Sequence, residues 1–426
     1  MAELPRKLSV ERLPVEGKTV LVRVDFNVPL EEGAGGVQQV GDDTRIRASL
    51  PTIRHLIGRG AKIVLVSHLG RPDGKADPKL SLKPVAARLS ELLGKPVVFC
   101  PDVVGPKAEA AAKALGPGEV LLLENVRFHK EEEKNDPGFA QALARLADAY
   151  VSDAFGTVHR AHASTAGVAK LFPQAACGFL IAKELQFLGQ ALAAPVHPYV
   201  AVLGGAKVGD KIAVIRSLLE RADTLLIGGA MAYTFLKARG HGIGESLLDE
   251  PHLKLAGELL AEAQAKGKRL LLPSDHLVSP KSGFAPPGAP AKAGKPGKAA
   301  KPGKDARAER SGVDIAAGQV GLDIGPDTVR RYQDEVRKAK LVVWNGPMGM
   351  FELPRFAAGT MAIAQAMAEA TRANGAVTVI GGGDSVAAAN EAGVADRITH
   401  MSTGGGASLE FLEGRTLPGI AVLTDA

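Results

Sequence analysis

Short apolar runs recur along this chain, and they do not alternate with polar residues. "TVLVRVD" (19–25), "KIVLVS" (62–67), "EVLLLEN" (119–125) and "AYVSDAF" (149–155) come first. "YVAVLGG" (199–205), "TLLIGG" (224–229), "RLLLP" (269–273), "LVVWNG" (341–346) and "AVTVIGG" (376–382) follow. A strand with one wet face alternates, whereas a strand buried on both faces reads as a continuous apolar run. Between the runs lie amphipathic stretches such as "RIRASLPTIRHLIGRG", in which Ile46, Leu50, Ile53 and Ile57 recur at helical spacing. Strand and helix in repeated alternation predict parallel sheets covered by helices. The runs fall into two groups. "IAKELQFLGQALAA" (181–194) separates them and reads as a linking helix with Leu185, Leu188 and Leu192 as its apolar stripe. The expected fold class is therefore α/β, with two doubly wound parallel-sheet (Rossmann-like) domains joined by a hinge helix. A length of 426 residues agrees, being more than one ordinary core serves.

Charge and cysteine narrow the function classes. The formal net charge of +6 suggests a polyanion partner until its source is located. The stretch 286–310 carries five Lys and two Arg against Asp305 and Glu309, or +5, leaving about +1 for everything else. This low-complexity tract of Lys, Pro, Ala and Gly reads as a solvated insertion; a nucleic-acid contact through it is the less favoured reading. The first residues, "MAELPRKLSVERLP", lack the apolar centre of a signal peptide, and the longest uncharged run is too polar to span a membrane. Cys100 and Cys177 form neither a disulfide framework nor a zinc spacing, so a reducing cytoplasm is expected.

In open parallel sheets, ligands bind beyond the carboxyl ends of the strands. In the first half of the chain those ends are polar and largely cationic. They supply Asp25 and Asn27 ("VDFNVP"), Arg45 and Arg47 ("DDTRIR"), His68 and Arg71 ("SHLGRP"), Arg127 and His129 ("ENVRFH"), and His159, Arg160 and His162 ("FGTVHRAH"). A lone arginine is ordinarily a solvated surface charge. Arginines after several separate strands can converge into a receptor for phosphate or carboxylate, whose oxygens the guanidinium fork binds in pairs. His159 and His162 are spaced for a metal, but no third ligand accompanies them.

In the second half the strands end in glycines: "LGGAK", "IGGAMAY", "WNGPMG", "IGGGDS" and "STGGGAS". Glycine permits close approach of backbone to a ligand, and a helix starting there offers free N–H groups to an anion. "LGGAKVGDK" (203–211) nearly matches the P-loop pattern, but Asp210 intervenes and Ile212 replaces the magnesium-binding hydroxyl. Lys207 and Lys211, four apart, share a helical face if the helix starts early. Magnesium must then be held elsewhere, and Asp384 in "GGGDS" is the candidate.

Taken in order, "RVDFNVP", "DDTRI", "SHLGRP", "ENVRFH", "DAFGTVHRAH", "LGGAKVGDKI", "MAYTFLK", "GLDIGP", "WNGPMGMFE", "IGGGDS" and "STGGGASLE" strongly resemble the phosphoglycerate kinase family over nearly the whole chain. The resemblance implies an N-terminal phosphoglycerate-binding domain (1–180), a hinge helix (181–195) and a C-terminal nucleotide-binding domain (196–404), with 405–426 returning to the first. It implies a monomer that closes about its hinge and transfers a phosphoryl group between 1,3-bisphosphoglycerate and ADP, giving 3-phosphoglycerate and ATP with Mg2+. By matching motif positions, Asp25, Asn27, Arg45, His68, Arg71, Arg127 and Arg160 become triose ligands. Arg45 and Lys211 become the catalytic pair. Gly205, Ala206, Lys207, Lys211, Asn345, Pro347, Glu352, Gly382, Gly383, Asp384 and Ser385 become nucleotide ligands, with Glu352 on the ribose. Gly404, Gly405 and Gly406 become a phosphate-facing helix start. Gly209 stands where the family commonly has Ala. Two other readings remain: a nicotinamide-dependent dehydrogenase, against which no G-x-G-x-x-G with a downstream acid appears, and a catalytically retired fold tethered by its basic tract, against which Arg45, Lys211 and Asp384 are all present.

Overall fold

In the first sheet six strands run parallel, in the order Val97–Cys100, Val120–Leu123, Lys62–Val66, Thr19–Val24, Ala149–Asp153, Ala175–Cys177. In the second they are Arg269–Leu271, Thr224–Ile227, Tyr199–Leu203, Leu341–Asn345, Val377–Gly381 and His400–Met401, again all parallel. The computed structural model describes residues 6–36, 38–281 and 307–426. The chain divides into two units, one comprising residues up to Gly189 together with Arg415–Ala426, the other Gln190–Gly414. The division falls inside the helix Phe179–Ala193. The segment that returns to the first unit is Arg415–Ala426; residues 405–414 stay with the second.

The central strands of both sheets are dry on both faces, as unalternated runs require. In the first, Val20, Val22, Val24, Ile63, Leu65 and Val151 enter one core, while Leu21, Val64 and Leu121 are equally buried on the opposite face. In the second, Val200, Val202, Val342, Trp344 and Ile380 share a core with Tyr332 and Met367 from the flanking helices. Tyr332, on the helix Pro326–Lys338, donates its hydroxyl to the carbonyls of Ile227 (2.7 Å) and Leu271 (2.9 Å), fastening that helix to two strand ends. The linking helix differs from expectation. Its most buried positions are Ile181, Glu184, Leu188 and Ala191, and Leu185 and Leu192 are only half-buried.

A smaller antiparallel sheet, Glu309–Ser311, His276–Pro280 and Gln319–Ile324, also lies in the second unit. Val278 pairs with Glu309, so the chain leaves and re-enters this sheet at adjacent positions around the basic tract. Of the basic tract 286–310, residues 286–306 lie outside the described residues, while Glu309 and Arg310, read as part of the solvated insertion, belong to the strand Glu309–Ser311.

Asp153 and Asp323 are two of several carboxylates buried in the otherwise apolar interior. Asp153 ends its strand and accepts from the N–H groups of Leu180 (2.9 Å) and Ile181 (3.4 Å), capping the helix Phe179–Ala193. Asp323 accepts from Ile324 (2.9 Å) and from Gly359 (2.8 Å) in the first turn of the helix Ala358–Asn374. Burial pushes each carboxyl up to about 7. In the unfolded chain an Asp loses its proton near about 3.9. The folded state therefore binds more protons between those values, and this part of the stability falls as pH rises from about 4 to about 7. Urea midpoints measured across that window should lose part of their pH slope in Asp153→Asn and in Asp323→Asn. An unaltered slope in both would remove these groups from the linkage.

Candidate active site

In the first sheet the chain order reverses between Thr19–Val24 and Ala149–Asp153, and the polar residues gather beyond these central strands. Asp25 follows Thr19–Val24 directly. Its carboxylate accepts from Arg45 (2.7 Å), which sits in the first turn of the helix Thr44–Gly58, and from the N–H of Asn27 (3.2 Å). The side chain of Asn27 accepts from Gly70 N–H (2.9 Å), and Ser67 accepts from Phe26 N–H (2.8 Å), so the loops after two adjacent strands are tied together. Asn125 ties in a third, accepting from Leu69 N–H (3.1 Å) and donating to the Leu69 carbonyl (2.7 Å). Arg127 then donates to the carbonyl of Gly70 (2.8 Å).

At the centre of these loops lies His68, buried, with Nδ1 3.9 Å from Asp25 and 3.2 Å from an Nη of Arg23. Its pKa is lowered well below the ordinary value, first by desolvation and then by the positive fields of Arg23, Arg127, Arg160 and Arg45. Guanidinium groups from four separate segments thus act on one imidazole by their fields. The same surroundings, with desolvation again the larger cause, take His162 down to about 4. Arg71 is exposed and makes no hydrogen bond or ion pair among the described residues. For the His159–His162 spacing, the described residues gather no group of three or more possible metal ligands; His162 lies 3.9 Å from the carboxylate of Glu132.

In the second sheet the glycines do two different jobs. A side chain at Gly204 would meet the carbonyl oxygen of Pro347 at 2.0 Å, and one at Gly346 would meet that of Gly204 at 2.3 Å. Gly229, with φ of +64°, would clash with Gly205 backbone at 2.5 Å. These glycines let strand ends cross one another, so their reading as points of ligand approach gives way to a packing role. Space is open instead at Gly383, Gly405 and Gly406, and nearly so at Gly205, where the closest atom is Lys211 Cε at 3.9 Å. Gly383, Gly405 and Gly406, at or beside the starts of the helices Gly383–Glu391 and Gly406–Leu412, leave room for backbone N–H groups to meet a ligand, whereas the N–H of Gly205 is already given to Pro347.

The P-loop-like segment also departs from its expected shape. A single 3-10 turn, Gly209–Lys211, precedes the helix Ile212–Arg221, for which Lys211 is the N-cap with φ of −124°. The helix starts too late for Lys207 and Lys211 to share a face; Lys207 is exposed and Lys211 is buried. The Lys211 ammonium donates to the side-chain oxygen of Asn345 and to its carbonyl (3.2 Å). Desolvation lowers its pKa to about 8, against the opposing fields of Asp210 and Asp384. The side-chain nitrogen of Asn345 is buried with no partner, an orphaned donor 3.0 Å from where a Gly382 side chain would begin. Ser385 is committed internally, accepting from Gly346 N–H (2.6 Å), and Pro347 accepts from Gly205 N–H (3.1 Å). Gly404 donates its N–H to Ser402 (3.1 Å), while Ala206, Glu352 and Asp384 are exposed. Gly209 fits tightly under the ring of His252, which a Cβ would meet at 2.4 Å.

Three residues that the strand-end reading passes over belong to the first cluster. Arg23 is 1% exposed, in the middle of an apolar strand; Ser164 and Glu132 are wholly buried beside it. The signal for Arg23 was present, since a charge inside a run buried on both faces needs a partner.

A protein that gathers guanidinium groups at the strand ends of one doubly wound unit, and an ammonium with open helix starts at those of another, is equipped to bind and pass on phosphate: a phosphotransferase. Comparison with known proteins agrees. The family model for phosphoglycerate kinase matches residues 10–415. The phosphoglycerate kinase of Clostridium novyi is 54% identical over 98% of this chain and 99% of its own length, and that of Moorella thermoacetica is 54% identical with the same coverage. The solved structure of the Coxiella burnetii enzyme superimposes with a TM-score of 0.84 at 39% identity, covering 98% of both chains; that from Pyrococcus horikoshii gives 0.80 at 33%, with the same coverage. The chain belongs to the phosphoglycerate kinase family. It is a glycolytic transferase, moving a phosphoryl group reversibly between 1,3-bisphosphoglycerate and ADP to give 3-phosphoglycerate and ATP. Among the described residues no helix is long and apolar enough to cross a membrane.

Proposed function

We propose that the first unit holds the phosphoglycerate and the second holds the nucleotide. The observation that carries this division is the strand-end cluster of the first unit, in which Asp25 holds Arg45 at 2.7 Å, Arg127 donates to Gly70 and Arg23 lies 3.2 Å from the buried His68. A triose bearing a phosphate and a carboxylate is the anion such a cluster suits. Asp25, Asn27, Arg45, His68 and Arg127 are bound into that cluster or beside it, and Arg160 acts on it by its field. Arg71, exposed and unpaired, is available for the fixed phosphate.

On the nucleotide side, Lys211 and the orphaned amide of Asn345 meet the phosphates, the open backbone at Gly383, Gly405 and Gly406 receives them, and Gly205 leaves room beside Lys211. Ala206, Lys207, Pro347 and Glu352 complete the binding surface, Glu352 at the ribose. Gly382, Ser385 and Gly404 shape it from behind. Phosphoryl transfer needs little covalent chemistry from the protein. It needs alignment of the two oxygens and cations on the migrating group, which Arg45 and Lys211 supply. Because acyl phosphate and nucleotide belong to separate units, transfer also requires that the substrates be brought together and water shut out.

Asp384 fits a magnesium ligand by its chemistry. It is a hard oxygen in the first turn of a helix, exposed, and without a hydrogen bond or ion pair among the described residues. Magnesium held by one carboxylate and the nucleotide's phosphates would neutralise phosphate charge there. A coupled assay with ATP and 3-phosphoglycerate, run across a magnesium titration, tests this. Asp384→Ala should move the half-maximal magnesium concentration upward at least several-fold. An unmoved midpoint would transfer the metal to Glu352. We further place the enzyme in the cytoplasm as a monomer, and read the basic tract as a solvated insertion in preference to a nucleic-acid contact.

A further inference from the structure

Behind the cationic cluster a buried line of polar side chains leads to His68, and the reaction as described uses neither Glu132 nor Ser164 at its start. Glu132, on the short helix Lys130–Glu133, is wholly buried. One of its oxygens accepts from the Ser164 hydroxyl (2.6 Å) and the other from the Ser164 N–H (2.8 Å). Ser164 sits in a π-helical turn, Ala163–Gly167, an uncommon backbone form frequent at functional sites. The same hydroxyl accepts from Nε of Arg23 (2.8 Å). Another nitrogen of Arg23 donates to the carbonyl of Val24, and the last lies 3.2 Å from Nδ1 of His68.

The hydrogen-bonding inventory leaves one assignment. Guanidinium has five donors and no acceptor, and it stays charged in proteins. Nδ1 of His68 must therefore be the acceptor, so its proton sits on Nε2 and the ring is neutral. Likewise Ser164 Oγ receives from Arg23 and has a single proton to give, which goes to Glu132. The order Glu132, Ser164, Arg23, His68 is thus directional throughout.

We propose that Glu132 is a positioning residue for the kinase reaction: through Ser164 it holds Arg23 so that His68 is locked as the neutral Nε2–H tautomer, an uncharged donor for an oxygen of the phosphoglycerate. This rests on placing the triose beside His68. The design has a physical rationale. Four guanidinium groups already act on the ring, and a protonated imidazole would add repulsion among them, whereas a neutral N–H adds a hydrogen bond without charge. Glu132 also balances Arg23, whose cation would otherwise be buried uncompensated.

Substitution at Glu132 breaks the line in a defined way. In Glu132→Gln the amide nitrogen must face either the Ser164 N–H or the Ser164 hydroxyl. The first sets donor against donor, and the second gives the hydroxyl oxygen a second donor while its own proton loses its acceptor. Ser164→Ala removes the link and Ser164→Thr keeps it. The test begins on the unaltered full-length enzyme, with histidine-ring 15N–1H spectra and the His68 signal assigned by its loss in His68→Gln. The expected result is a neutral ring, proton on Nε2, throughout pH 6 to 8 on the order of the ordinary titration range. Glu132→Gln and Ser164→Ala should blur that signature into mixed tautomers and raise KM for 3-phosphoglycerate by about tenfold, the order expected when a buried polar group loses its partner. KM for ATP should not move, and Ser164→Thr should restore both readouts. A His68 proton on Nδ1, or a cationic ring at neutral pH, overturns the proposal without any variant. So does an unchanged KM for 3-phosphoglycerate in folded Glu132→Gln and Ser164→Ala. If the tautomer is as expected but His68→Gln leaves that KM unchanged, the placement of the triose fails and the hydrogen-bond assignment stands.

Discussion

Lys211→Ala should lower kcat by about 10²–10³-fold, the loss typical of removing one charge-stabilising group from a transition state, while ADP binding measured by calorimetry changes little. The ammonium is buried at the N-cap of the helix Ile212–Arg221 and held by Asn345, so it is fixed before any ligand arrives. A preorganised cation of this kind needs no reorganisation as charge shifts toward it. The residue is also the cation in the second half-site whose charge is most open to titration. Burial takes its pKa to about 8, so in the free enzyme it begins to lose its proton in mildly alkaline solution. Since kcat/KM reports ionisations of free enzyme, its profile should fall above about pH 8. The alanine variant, already without the charge, should lack that fall. Near-normal kcat in a variant whose melting temperature shows it folded would remove Lys211 from the chemistry.

How much of this was legible in the sequence depends on how each element is buried. The central strands announce themselves because burial on both faces demands continuous apolar runs. Of the strands in the two parallel sheets, those not foreseen, Val97–Cys100, Ala175–Cys177 and His400–Met401, are all edge strands. An edge strand is short or partly wet; Val97–Cys100 is only intermediate or exposed until its last residue, whereas Ala175–Cys177 is buried but only three residues long. The antiparallel sheet was hidden for a related reason. Its middle strand, "HLVSP", carries polar residues that are buried, His276 and Ser279, which no periodicity argument places inward. The linking helix shows the same limit. Its buried stripe passes through Glu184, and an apolar-stripe rule moves to Leu185 instead. At the site, the residue types at the strand ends were readable, but not which glycines serve packing. Gly204 and Gly346 exclude side chains because two strand ends cross, a fact about chain segments more than a hundred residues apart. Arg23, Ser164 and Glu132 were missed because their partners come from separate segments and only the fold brings them together.

Arg45→Ala should also cost about 10²–10³-fold in kcat, whereas Arg71→Ala should raise KM for 3-phosphoglycerate and leave kcat nearly intact. The difference follows from how each is held. Arg45 is fixed by Asp25 at 2.7 Å, inside the cluster that acts on His68, with part of its guanidinium still exposed. An oriented, incompletely satisfied cation suits a group whose charge appears only during transfer. Arg71 is exposed and unpaired, so it can follow a phosphate that is bound alike before and during the reaction. Interactions equal in ground and transition states appear in KM alone. Arg45→Lys separates charge from geometry, because an ammonium can still pair with Asp25 but cannot present a planar fork to two oxygens. If the lysine variant recovers most of the rate, charge alone is what the site needs; if it stays near the alanine variant, the fork is required. Identical kinetic patterns for Arg45→Ala and Arg71→Ala would show that the two arginines share one task, and the migrating group would then need another cation from the first unit.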